Sequence, residues 1–483
     1  MQQILVAPAL SLFFHSKKFI IMKSLTKALS EKWILLTAVS IFVFSACQKQ
    51  IDQPQNQDPI GIAGKDRGHL QQTKTFSAEV AQKWQDLQVI FLRVSGKTLL
   101  EPGNNPYGRN GHRWFAYCGI ALYESVVPGM PAYQSLYGQL TDMPEMPATE
   151  PGKAYHWPTC ANAALAYMTK HFFTSADKIA SANALENDLN AIYQSEVNPE
   201  TFQRSKDFGN TVAERIFKWS ETDGYNHAND PYTPSGGTGS WTNTPPNPTG
   251  IGDPYWGNNR LLVQGSTDGT ASPLPPPYSE DPNSDYYKMV KEVYDVSKAL
   301  TPEQKATALY FRDNPGWPTG THFMTVFNEI MHDEDPQLDF YALAQAKTGI
   351  ALVESMINCW KLKYQLLQDR PTRYIRKMWD PNWNSLISIP AFPDFPDGHT
   401  QNGGAFAAVM TSLFGANYHF TIHTYDYLGM APRTYNSFNE MAEDIGTARV
   451  YAGIEYTYSC VEGRKQGERI AANVLNILRF KKD

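Results

Sequence analysis

The chain has 483 residues, 42% hydrophobic and 19% charged, with a formal net charge of −6. That is ample apolar material for a large core, and it excludes the strongly basic face that nucleic-acid binding requires. Length alone admits two or three domains, or one large helical one.

The N-terminus reads as an address and stands outside the fold. Lys23, Lys27 and Lys32 precede an apolar run from Trp33 to Phe44, followed by Ser45-Ala46-Cys47. A basic region, an apolar stretch and small residues before a cysteine make residues 1–47 a lipoprotein signal, with Cys47 as the lipidation site. Met22 is a more natural start than Met1. The competing reading is an uncleaved anchor, for which the run is short. The protein is therefore expected to be exported and lipid-anchored to a bacterial membrane, facing the periplasm or the outer surface. Residues 48–75 are polar and read as a flexible tether.

From residue 76 the pattern turns helical. Val80, Trp84, Leu87, Phe91 and Leu92 recur at three- and four-residue steps, and a second helix is expected from His112 to Val127, closed by Pro128-Gly129. Further helices are expected near 158–172, 177–194 and 200–221. Residues 227–285 differ in kind, with Pro275-Pro276-Pro277 and the aromatics Trp241, Tyr255 and Trp256 in a long stretch without periodicity. The aromatics argue that this loop packs onto the helices; it either covers a pocket mouth or only wraps the bundle. Residues 76–286 thus form an N-terminal helical half, and 287–483 a C-terminal one.

The second half resumes with a helix from Tyr287 to Leu300 and a new start at Thr301-Pro302-Glu303-Gln304. Leu343, Ala346, Ile350, Val353, Ile357, Trp360 and Tyr364 trace a buried helix whose end delivers Lys363; Pro371 is expected to stop it. A further helix is expected over Gly403–Phe414, with His399 just before it, and Ser437-Phe438-Asn439-Glu440 has the pattern of a capping box. Little of the chain alternates with period two, so the fold class is mainly α, a large helical bundle. Beyond Cys47, the cysteines Cys118, Cys160, Cys359 and Cys460 allow three pairings or stay as buried thiols.

Chemistry concentrates in the second half. Lys363, then Arg370-Pro371, then Pro396-Asp397-Gly398-His399 and finally Arg449 supply three cations, a histidine and a glycine turn at a helix start. These are the parts of an oxyanion pocket. At these residues the chain resembles the vanadium-dependent haloperoxidases and the type 2 phosphatidic acid phosphatases, whose pattern is K-x6-R-P, P-S-G-H and S-R-x5-H. The flanking Cys359-Trp360, Asp380-Pro381-Asn382-Trp383, His423-Thr424 and Ala431-Pro432-Arg433 look like the Bacteroidetes-type lipoprotein branch of that family. The resemblance implies a helical bundle in which Lys363, Arg370, Arg449 and the Gly398 N–H hold phosphate or vanadate, with His399 as acid–base.

Two positions depart from the pattern. Asp397 stands where the family has serine, and Glu455 where it has the histidine that is nucleophile in the phosphatases and vanadium ligand in the haloperoxidases. On an ideal helix Arg449 and Glu455 sit about 120° apart, so Gly453 must end or bend the helix to bring both to one site. The two carboxylates offset two of the three cations, and a degenerate oxyanion site with little or no family catalysis is the first expectation. A second keeps an active phosphomonoesterase or haloperoxidase-like enzyme, with His399 as acid–base and Glu455 in place of the histidine. A third makes Asp397, His399 and Glu455 a divalent-metal site, with His423 and Asp426 near by in sequence. Vanadate is expected as cofactor only if the anion site survives. The partners expected are a phosphate-like or vanadate anion and the membrane through the Cys47 lipid; homo-oligomerisation stays open.

Overall fold

The computed structural model describes residues 71–92, 110–243, 251–312 and 321–483. The signal, Cys47 and most of the tether lie outside these residues, as does Pro245-Pro246 of the long loop. Among the described residues there are thirteen α-helices and one two-stranded sheet.

Helices α1 (Glu79–Leu92), α2 (Asn110–Val126), α3 (Trp157–Phe172), α4 (Ala176–Glu196) and α5 (Pro199–Ser220) build the first segment. Local capping fixes where α5 starts: Asn198 accepts a hydrogen bond from the Thr201 N–H at 2.8 Å. Then follow α6 (Asp285–Lys298), α7 (Pro302–Tyr310), α8 (His322–Glu334), α9 (Leu338–Leu366) and α10 (Pro371–Met378). Thr301 and Gln304 form the reciprocal capping box at α7, with bonds of 3.2 and 2.9 Å. The chain closes with α11 (Gly398–Phe414), the antiparallel pair β1 (Phe420–Ile422) and β2 (Arg433–Tyr435), α12 (Phe438–Tyr451) and α13 (Thr457–Ile477). Ser437 caps α12, but the Glu440 carboxylate accepts from Asn436 and not from Ser437, so that box is half formed.

The 29-residue α9 is the spine. It packs along α2 on one side and against α11 and α13 on another, so both segments contribute to one hydrophobic core. α11 and α13 approach closely because glycine faces backbone: a Cβ on Gly467 would overlap the Gln401 carbonyl, and one on Gly404 the Arg464 carbonyl.

Two expectations need correcting. Pro371 does not stop the long helix. That helix ends at Leu366, with Leu367 in the left-handed region at φ 49°, and Pro371 opens α10 at a position where its missing N–H costs nothing. Nor does His399 precede its helix: α11 begins at Gly398, because Asp397 caps it. The four cysteines Cys118, Cys160, Cys359 and Cys460 are buried free thiols.

The described parts of the 227–285 loop pack onto the bundle through their aromatics. Trp241 and Trp256 are fully buried, Trp256 sits edge-on to Trp360, and the Trp241 backbone N–H donates to the Leu367 carbonyl at 2.7 Å. The Gly252 carbonyl accepts from both Trp360 and Tyr364 of α9, at 3.2 and 2.8 Å.

Candidate functional site

The C-terminal end of α9 carries Lys363 into the interior with no exposed surface. Its ammonium donates to the Pro393 carbonyl at 3.0 Å and to the Asp394 carbonyl. It lies over the rings of Trp360 and Phe392. Arg370, in the extended residue that caps α10, is 1% exposed. Its Nε donates to the Phe392 carbonyl at 2.8 Å and its Nη2 to Pro393 at 3.3 Å. Nη1 donates to the Ile454 carbonyl at 2.7 Å and to Glu455 Oε1 at 2.9 Å. The proline-spaced approach to α11 therefore presents a row of carbonyls to both cations.

Asp397 is the N-cap of α11. Its carboxylate accepts from the N–H of His399 at 3.3 Å and of Thr400 at 3.0 Å, so it neutralises donors that a helix start would otherwise offer an anion. Arg449, in the last turn of α12, places Nε 3.9 Å from Asp397 Oδ1 and donates Nη1 to the Phe311 carbonyl at 3.1 Å. Gly453, at φ 76°, makes the turn that brings Glu455 back to the same site. Lys363, Arg370, Asp397, Gly398, His399, Arg449 and Glu455 all converge here.

Burial works against a charged Asp397. Even so, Arg449, His399 and Lys363, with the Thr400 N–H, hold its carboxyl below the ordinary value of 3.8. The folded state then binds fewer protons at Asp397 than the unfolded chain. Its stabilisation is present above that value and is lost as pH falls through the lower folded pKa. Asp397→Ala is expected to cost about 2 kcal/mol at neutral pH, with the gap to wild type narrowing as pH falls below the ordinary carboxylate range. Denaturant titration across that range checks it, and a gap independent of pH would contradict the charge pairing.

One residue escaped the sequence reading. Asp394 is fully buried, its Oδ2 accepts from the Ser459 hydroxyl, and its carboxyl meets that of Glu455. Burial, then the charge and hydrogen bond of Glu455, hold Asp394 well above the ordinary carboxylate range, against the pull of Arg370 and Lys363. A second acid three residues before Asp397, between two prolines, was the available signal. Cys460 completes the wall; burial and then the Asp397, Glu455 and Asp394 charges push its thiol far up, so it supplies no thiolate.

The enclosed space is small. Met356, Trp360, Phe392, Asp397, Gly398, His399 and Glu455 line a cavity of about 10 Å³, room for roughly one water. The expected metal set does not form: among the described residues no group of three His, Cys, Asp or Glu is placed to hold an ion. Asp397 is turned to backbone N–H groups and Glu455 to Arg370. His423 and Asp426 pair with each other at 2.8 Å on the exposed surface.

A family model described as the VCPO second helical-bundle domain matches residues 344–481, which contain every one of these site residues. The structure of the first bacterial vanadium-dependent iodoperoxidase superposes with a TM-score of 0.76 at 27% identity, over 89% of this chain and 99% of that one. These matches support the haloperoxidase and type 2 phosphatidic acid phosphatase-type superfamily. The holo and apo structures of a bacterial vanadium-dependent chloroperoxidase share the fold of this chain at 15% identity. Their TM-scores are 0.61 and 0.59, each over 79% of this chain and over 94% and 96% of theirs. No curated protein sequence matches the chain.

Proposed function

We propose that this haloperoxidase-fold protein is an exported lipoprotein, anchored through Cys47, whose oxyanion pocket is closed by its own carboxylates. It carries little or none of the family's catalysis and acts by binding. The observation that carries this reading is the Arg370–Glu455 pair at 2.9 Å, with both side chains 1% exposed. Vanadate, on which the structural relatives depend, does not fit the donor set. Lys363 and Arg370 are directed at the carbonyls of Phe392, Pro393, Asp394 and Ile454, and Asp397 takes the N–H groups at the start of α11. An oxyanion would also have to approach two carboxylates in a low-dielectric interior, at a cost of several kcal/mol in order-of-magnitude terms. A phosphoesterase using Glu455 as nucleophile would first have to break its pair with Arg370.

Calorimetric titration of the region from Gln48 onward with orthovanadate tests the reading. No heat of binding up to millimolar vanadate is expected. Micromolar binding would overturn it and lead to phosphatase and haloperoxidase assays.

A further inference from the structure

We infer that Asp394 and Glu455 share a single proton, and that this acid–carboxylate pair is the anion around which the pocket is built. The inference rests on the closed-pocket reading and names what occupies the site. Both side chains are essentially unexposed, and each has one oxygen satisfied: Asp394 Oδ2 by the Ser459 hydroxyl, Glu455 Oε1 by Arg370. The other oxygens, Asp394 Oδ1 and Glu455 Oε2, are buried with no donor among the described residues. Two neighbouring carboxylates are acceptors only and cannot satisfy each other. One proton between them converts two orphaned acceptors into one charge-assisted hydrogen bond.

The charges around the pair agree. Lys363 of α9, Arg370 ahead of α10 and Arg449 of α12 face Asp397 and His399 at the start of α11, Cys460 of α13 and the carboxyl pair itself. The hydroxyls of Tyr286 on α6 and of Tyr456 also feel the Asp394 charge and stay protonated under burial. Two neighbouring like charges in such an interior cannot both ionise, and the partner whose donor is uncharged takes the proton. Asp394 has the Ser459 hydroxyl; Glu455 has the guanidinium. Asp394 is therefore the acid and Glu455 the carboxylate, held where an exogenous oxyanion would need to bind.

Infrared spectroscopy on the full chain tests this. At neutral pH the wild-type minus Asp394→Asn difference should contain a protonated-carboxyl carbonyl band, while the other buried carboxyls Glu124, Glu329, Glu354 and Asp369 are common to both proteins and cancel. The amide introduced by Asp394→Asn can donate to Glu455 and accept from Ser459. Its thermal midpoint should therefore stay within about 3 °C of wild type, while that of Asp394→Ala falls further. Absence of the band, or an Asp394→Asn variant as destabilised as Asp394→Ala, would overturn the shared proton. Vanadate binding by the wild type would defeat the closed-pocket reading but leave the infrared result to decide the pair, so the two fail separately.

Discussion

Asp397→Ser combined with Glu455→His is expected to confer orthovanadate binding on a protein proposed to lack it. The apparent Kd should move from above millimolar into the micromolar range, a gain of at least about 3 kcal/mol. The change removes two buried negative charges and releases Arg370 Nη1 from Glu455. It also frees the His399 and Thr400 N–H groups from a charged cap, while a serine hydroxyl can still accept from one of them. Each single substitution leaves one carboxylate in place and should give a weaker response. Calorimetry on the three variants is the measurement. No gain in the double variant would place the block in Asp394 or in the carbonyls that hold Lys363 and Arg370.

Arg370→Met should be the most damaging single change at the site for stability. It strands the Glu455 carboxylate and leaves the Phe392 and Ile454 carbonyls without their donor. Removing one partner of a buried pair costs about 3–5 kcal/mol, far more than the intact pair contributes. Chemical denaturation should show that loss, and adding Glu455→Met should recover part of it, because the orphaned charge goes with its partner. A cost below about 1 kcal/mol would mean that the pair behaves as a solvated surface contact.

The helices were readable where a local rule acts alone. The capping box at Thr301 and the apolar rhythm of α9 from Leu343 to Tyr364 depend on neighbours in sequence, and the structure has both. The site cations were readable through their spacing and motif. Three features were not, each because tertiary closure decides them. Leu367 ends α9 in a left-handed conformation that leucine seldom adopts, so nothing in the residue type announces it. Asp397 reads as a foreign charge in an anion motif, yet a carboxylate before a helix is also a good cap, and that role sets where α11 begins. Asp394 sits in a proline-rich stretch that by itself resembles a solvated loop. Only the docking of Ser459 and Glu455 makes it an interior residue.

The clip between the long loop and α9 has a consequence for access. The Gly252 carbonyl is held by two aromatic donors one helical turn apart, and the Gly257 backbone lies against that of Lys361 with no space for a side chain between. Two residues further along the same helix stands Lys363. Lifting this part of the loop would therefore expose Trp256, unseat Trp360 and disturb the cation in one event, at the free-energy scale of core opening and not of surface breathing. The segment is a wall, not a door. The amide protons of Gly252, Tyr255 and Trp256, bonded to the Ala391, Ala228 and Asp253 carbonyls, should exchange on the same slow clock as the centre of α9.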